Sequence, residues 1–259
     1  MSDRFDVLVV GGGPSGAAAA YWLAERGRRV LVVEKKRFPR DKTCGDGLTP
    51  RAVRELHGMG LAEPLADSLR YDGLRSIAHG ITLELAWPDH PEFPPYGYVI
   101  RRRDLDEMVA GQAVKAGATL WPAAEATEPL VENGLVTGAV VHCKESGTRE
   151  PVRARYLVVA DGANSRFGRA LGAARDRTYP LGMAVRGYFR SPHHDDPWIE
   201  SHLDLRDRDG NHLPGYGWVF PVGDGTVNVG VGLLSTFAGW KSVNTSHLMD
   251  AFTATAPPR

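Results

Sequence analysis

The segment "FDVLVVGGGPSGAAAAYWLAERG", residues 5–27, constrains this chain more than any other. From Val7 to Leu23 it carries no charged residue, and a run of that length approaches what a membrane-spanning helix needs. Yet Gly11, Gly12, Gly13, Pro14 and Gly16 fall in its middle, where one continuous helix would break. The pattern resolves instead into a short β-branched apolar strand, a glycine turn, and a helix ending at Gly27, a C′ glycine. "RVLVVE", residues 29–34, supplies a second buried strand. The result is a βαβ unit at the start of the chain.

Gly11, Gly13 and Gly16 form a G-x-G-x-x-G fingerprint in the context that gives it meaning: a strand before it, a helix after it, and an acid, Glu34, at the end of the next strand. Gly11 allows a tight turn, Gly13 lets backbone approach a pyrophosphate, and Gly16 lets helix and strand pack closely. The helix N-terminus offers N–H groups and partial positive charge to phosphates. The Glu34 carboxylate suits ribose hydroxyls and repels a 2′-phosphate, which favours FAD or NAD over NADP.

Composition narrows the setting. The 259 residues carry 31 Lys+Arg against 31 Asp+Glu, a net charge of zero. Nucleic acid as the main partner is excluded on that balance, because phosphate neutralisation needs a basic surplus. Two cysteines, Cys44 and Cys143, are too few for a disulfide framework, and no secretory-signal pattern precedes them. A reduced, cytoplasmic setting is expected, with peripheral membrane contact left open. No metal is expected.

Further along, Thr49 and Pro50 read as N-cap and N1 of a helix stopped by Gly60. "LRSIAHGITLELAW" reads as two strands, and Asp104 as the cap of a helix running to about Lys115. "ATEPLVENGLVTGAVVHC" is a hairpin turning at Asn133-Gly134. "YLVVADGANS" is another buried strand running into a glycine turn, and beyond residue 176 strand-like runs dominate. The final stretch from Phe237 lacks a clear core pattern. The fold class that follows is α/β: a Rossmann-like dinucleotide-binding domain, residues 1–70 and 101–176, interleaved with a β-rich substrate domain, residues 71–100 and 177–259.

Five motifs, in order, carry a resemblance: "VVGGGPSG", "FPRDKTCGDGLTPRAV", "RRRDLDEM", "VVADGANS" and "GYGWVFPVGDGTVNVGVG". Asp161-Gly162 with Ser165 is similar to the Asp-Gly fingerprint of flavoprotein hydroxylases, which sits near the FAD pyrophosphate. The usual arginine position three residues after the serine is Gly168 here, leaving Arg166 and Arg169 as alternatives. As a whole, residues 6–235 resemble the geranylgeranyl reductase family of flavoproteins, whose fold is of the aromatic-hydroxylase type. Within it, the likeness is strongest to the branch that saturates an isoprene unit of a menaquinone tail.

The resemblance implies a cofactor, FAD, held by Gly11, Gly13, Pro14, Ser15, Gly16, Glu34, Lys35, Gly45, Arg102, Asp161 and Gly162. Three consecutive arginines leave Arg101 and Arg103 as alternatives to Arg102. It implies that Cys44, in "CGDG", lies at the flavin on the substrate side, either as an active-site thiol activated by Lys42 and a following helix N-terminus or as a small pocket-lining residue. Cys143, on a hairpin strand, reads as packing. Cys44 and Asp46 are the candidates for proton delivery. Tyr216, Trp218, Phe220 and Pro221 match an aromatic strand on the substrate side, whose bulk suits a lipid-like isoprenoid.

The activity implied is FAD-dependent saturation of a prenyl C=C bond, in a menaquinone tail or a geranylgeranyl lipid, with NAD(P)H or another reductant as electron source. The alternative is an FAD-dependent monooxygenase or halogenase, whose glycine motifs are the same; Tyr216 stands where a halogenase strand has its first tryptophan. In the resembled family a further Gly-Asp segment and C-terminal helices follow, and neither is found after Gly232. A chain truncated in this way, an inactive fragment with a residual dinucleotide fold, is expected to hold FAD poorly and to turn over little.

Overall fold

The long apolar run forms a strand, a turn and a helix, and the rest of the chain assembles around two sheets. The computed structural model describes residues 5–176, 178–207, 209–236 and 239–255. In chain order the first elements are β1 Phe5–Val10, α1 Pro14–Ala24, β2 Val30–Glu34, β3 Gly47–Leu48, α2 Pro50–Gly58 and α3 Ala62–Ala66. Next come β4 Leu69–Tyr71, β5 Gly73–Ala78, β6 Ile81–Ala86, β7 Gly97–Val99, α4 Arg102–Lys115, β8 Thr119–Pro122 and β9 Ala124–Glu132. The remainder is β10 Leu135–Cys143, β11 Arg149–Val159, α5 Arg166–Ala170, β12 Gly182–Arg190, β13 Trp198–His202, β14 Gly215–Pro221, β15 Thr226–Leu234 and α6 Thr245–Thr255.

By contacts the chain divides into two compact units, residues 1–41 with 103–176 and residues 42–102 with 177–259. Residues 42–70, placed with the nucleotide domain from sequence, pack here with the β-rich unit. The reason is a small sheet ordered β3-β7-β4, whose Tyr71 and Val99 form a core with Ile199 of β13.

The first unit is a six-stranded sheet ordered β8-β2-β1-β11-β10-β9. β8, β2, β1 and the second half of β11 are parallel, and the β9–β10 hairpin adds antiparallel to the first half of β11. β1 and β2 read as continuous apolar runs because both faces are covered: Leu8, Val10, Leu31 and Val33 share one core with Phe167 of α5. The hairpin turns at Asn133 (φ 52) and Gly134 (φ 76), the left-handed pair that a two-residue turn needs. β11 begins earlier than its apolar run suggests. In "REPVRAR" Val152 and Ala154 face the core while Pro151 and Arg153 face out, a half-exposed alternation hidden by its charge.

The second unit is a six-stranded sheet ordered β12-β15-β14-β13-β5-β6. Alternation sorts its faces. Val227, Val229, Val231 and Leu233 of β15 meet Leu248, Met249 and Phe252 of α6 on one side, while Phe220 joins Tyr71, Val99 and Ile199 on the other. The final stretch therefore does carry core residues, contrary to the sequence expectation. Its apolar set is two adjacent residues and one a turn later, too short to register as periodicity, yet each buried side chain contributes about 1.5–3 kcal/mol. Residues 237–238 and 256–259 of that stretch lie outside the described residues. α4 begins at Arg102, so Asp104 lies inside its first turn and complements the helix dipole instead of serving as the N-cap. Among the described residues no helix is long and apolar enough to cross a membrane.

Two glycines test this packing in opposite directions. A Cβ at Gly16 would stand 1.9 Å from the Gly11 carbonyl oxygen, whereas at Gly111, exposed in α4, it would meet nothing within 4 Å. Gly16→Ala is expected to destabilise by about 1–3 kcal/mol, and Gly111→Ala to stabilise by about 0.5–1 kcal/mol. Urea denaturation of the two variants checks both signs.

Candidate functional site

In the first unit the fingerprint turn is built by backbone crowding. Gly11 has φ +101, and a Cβ there would lie 2.5 Å from the Ala160 carbonyl oxygen and 2.9 Å from the Asp161 Cα. The two glycine motifs, remote in sequence, thus abut at the ends of β1 and β11. α1 opens with Gly13 at the N-cap and Pro14 in the first turn, and no side chain caps it. An uncapped N-terminus behind a turn of bare backbone fits a pyrophosphate.

Glu34 is 4% exposed and lies against that turn. Its carboxylate accepts the Gly12 N–H at 2.9 Å and the Lys36 N–H at 3.0 Å. Arg40 adds a longer contact at 3.4 Å and an ion pair to the fully buried Asp106 at 3.0 Å. Each carboxylate oxygen has two acceptor positions, so Glu34 retains capacity for a sugar hydroxyl. Arg40 was not singled out from sequence. Its signal is indirect: Asp106, a charged residue on the buried side of α4, needs a cation. Lys35 is exposed, and its carbonyl accepts the Lys144 ammonium at 3.0 Å.

Asp161 closes the other side of the turn. One carboxylate oxygen accepts the Phe167 N–H at 3.3 Å, and the other, Oδ1, is buried without a partner among the described residues. An orphaned acceptor beside a glycine with φ +93, Gly162, fits a ligand donor. Ser165 Oγ caps α5 by accepting the Gly168 N–H at 2.7 Å. A Cβ at Gly168 would stand 2.5 Å from that oxygen. Arg166 and Arg169 are both exposed.

In the second unit the "CGDG" loop is pinned by Asp46. This residue is 1% exposed and adopts φ 70, the left-handed conformation. One carboxylate oxygen accepts the Tyr188 hydroxyl at 2.5 Å and the Asn228 amide at 2.6 Å; the other accepts the Arg102 N–H at 3.1 Å. Its own carbonyl accepts the Ile100 N–H at 3.0 Å. So enclosed, Asp46 acts as the anchor of the loop. Burial, reinforced by the hydrogen bond to Asp46, holds the Tyr188 phenol well above its ordinary range and keeps it a donor. The guanidinium groups of Arg101 and Arg186 each lie 4.4 Å from the Tyr188 ring centroid. Arg101 is also bonded to Asp224 at 2.5 Å.

Cys44 is half-buried. β3 separates it from α2 along the chain; Lys42 is exposed, and its carbonyl accepts Arg186 at 3.2 Å. Cys143 packs beside the core of the first unit.

The loop rests on the aromatic strand. A Cβ at Gly45 would stand 2.8 Å from Phe220 and 3.4 Å from Trp218 Nε1, and one at Gly230 only 2.0 Å from the Trp218 ring. Trp218 is consequently 5% exposed, whereas Tyr216 is 46% exposed. Of the three aromatic candidates, Trp218 and Phe220 seat the loop and Tyr216 presents surface. Among the described residues, His79, Asp204 and His212 group their ligand atoms within 4.8 Å, but Arg206 bridges the group by bonding both Asp204 and His212.

The FAD binding domain family matches residues 4–203. Menaquinone reductase of Mycobacterium tuberculosis is 49% identical over 243 residues, covering 91% of this chain and 57% of the relative. The chain thus spans little more than half the length of that curated relative. A solved geranylgeranyl bacteriochlorophyll reductase-like protein from Thermoplasma acidophilum superposes with TM-score 0.78 at 28% identity, over 98% of this chain and 62% of that one. A flavin-dependent brominase superposes with TM-score 0.79 at 21% identity, over 97% and 61%, a likeness of fold alone.

The Asp46 anchor predicts a graded response. Asp46→Ala strips three donors of their acceptor and is expected to lower stability by at least about 3 kcal/mol. Asp46→Asn tolerates the left-handed backbone and keeps an acceptor, and is expected to lose less. Equilibrium urea unfolding followed by tryptophan fluorescence measures the order.

Proposed function

The chain belongs to the FAD binding domain family, and from that premise we propose that it serves an FAD-dependent oxidoreductase that saturates a C=C bond of a prenyl chain. The observation that carries the reading is the 49% identity to a menaquinone reductase over 91% of this chain. The 28%-identical geranylgeranyl bacteriochlorophyll reductase-like structure points to the same substrate class. The brominase likeness concerns the fold alone and gives the monooxygenase or halogenase alternative no specific support.

In this reading the uncapped α1 N-terminus and the Gly11–Gly16 turn take the pyrophosphate, Glu34 accepts from the ribose, and Asp161 and Gly162 line the phosphate side. Arg102 and Gly45 belong to the same proposed set. Bound and reduced, FAD supplies hydride. A prenyl alkene is electron-rich, so the protein must add a proton source and exclude water. Cys44 and Asp46 are the candidates at that position, and Asp46 also anchors the loop that carries the thiol. Tyr216, with surface to spare, is the candidate contact for an isoprenoid. The electron source is NAD(P)H or another reductant, and the lipid substrate reaches the protein through a peripheral membrane contact.

The test uses this chain within a protein of its relatives' full length, FAD-loaded and reduced, incubated anaerobically with menaquinone, followed by mass spectrometry. A tail heavier by two hydrogens is expected; an unaltered tail, or a product carrying oxygen, contradicts the reading. In that full-length protein Glu34→Ala is expected to weaken FAD binding by about 1–3 kcal/mol, the scale of hydrogen bonds to a charged group. Flavin absorbance retained through gel filtration reports it.

A further inference from the structure

Asn228 is fully buried, at 0% exposure, in the middle of a strand of valines and glycines. A primary amide there is costly unless every polar atom is met. Here each one is. Its Oδ1 accepts the Trp218 indole N–H at 3.0 Å. Its Nδ2 has two hydrogens and two acceptors: the Cys44 carbonyl at 2.9 Å and the Asp46 carboxylate at 2.6 Å. The orientation of the amide is determined by these partners, because an indole N–H can only donate and a carbonyl or carboxylate can only accept. Asn228 therefore reaches both ends of the Cys44–Gly45–Asp46 tripeptide at once. The indole that orients it lies beneath Gly45 and against Gly230.

We propose that Asn228 is the positioning residue for Cys44, and that the Trp218 indole N–H sets Asn228. The strand that presents the aromatic residues and the loop that carries the thiol then move as one unit. Displacing Trp218 would rotate the amide and release the Cys44 carbonyl. The functional weight of this linkage rests on the reading of Cys44 as an active-site thiol; the linkage itself does not.

The test is therefore thiol reactivity, which needs neither flavin nor turnover. Cys44 and Cys143 are alkylated with iodoacetamide in the folded protein, and each site is timed by peptide mass spectrometry. Asn228→Asp sets a carboxylate against the Cys44 carbonyl and the Asp46 carboxylate, and a tenfold or greater rise in the Cys44 rate is expected. Trp218→Phe removes the N–H while keeping an aromatic ring, and a rise of several-fold is expected. Cys143, in the other unit, is expected to hold its rate in both. Should Asn228→Asp fail to fold, Trp218→Phe alone decides. An unchanged Cys44 rate in Trp218→Phe, or a parallel rise at Cys44 and Cys143, overturns the proposal. If Cys44 responds as expected but Cys44→Ala leaves prenyl reduction at full rate, the linkage stands and the catalytic reading of the thiol falls.

Discussion

The arrangement of the second unit depends on one buried carboxylate. Asp46 combines a left-handed backbone with a side chain that is 1% exposed. Either feature alone is unfavourable for a residue with a Cβ and a charge. Both persist because donors arrive from three parts of the chain: Tyr188 on β12, Asn228 on β15, and the first N–H of α4 at Arg102. Around that point the loop lies down on Trp218 and Phe220. Glycine is required at 45 and 230 because a methyl group would run into the Phe220 ring at the first and the Trp218 ring at the second.

The first unit obeys a different logic, carried by backbone instead of side chains. The turn at Gly11 is pressed against Ala160 and Asp161, and Glu34 closes over it through the Gly12 N–H. What remains is an uncapped helix end and, buried beside the turn, an Asp161 Oδ1 without a partner among the described residues. Such a surface suits phosphate and sugar. The second unit instead offers a thiol on a rigid loop and an exposed tyrosine on an apolar strand.

The parts legible in the sequence were those whose cause is local. The β1–α1–β2 unit could be read because glycine spacing, strand hydrophobicity and Glu34 lie within 30 residues of one another. The hairpin at Asn133-Gly134 could be read because two residues determine its turn. Asn228 could not. Its partners in the loop lie 182 and 184 residues away, and inside "TVNVGVG" it resembles any polar interruption of a strand. The aromatic strand was recognisable, but which of its residues stays open depends on a loop that covers Trp218 and leaves Tyr216. Arg40 escaped notice because the need for it arises from Asp106, which burial alone makes conspicuous. The first half of β11 was missed because arginines mask its alternation, and α6 because three buried side chains are too few to form a visible stripe.

The proposed function requires that reduced flavin, on the full-length protein, is discharged by a prenyl double bond. It is tested most directly by following flavin absorbance anaerobically after adding a geranylgeranyl lipid without a quinone ring, since a quinone could itself oxidise the flavin. The account predicts that the oxidised flavin spectrum returns in proportion to the lipid double bonds saturated. A flavin that stays reduced until oxygen is admitted would contradict it.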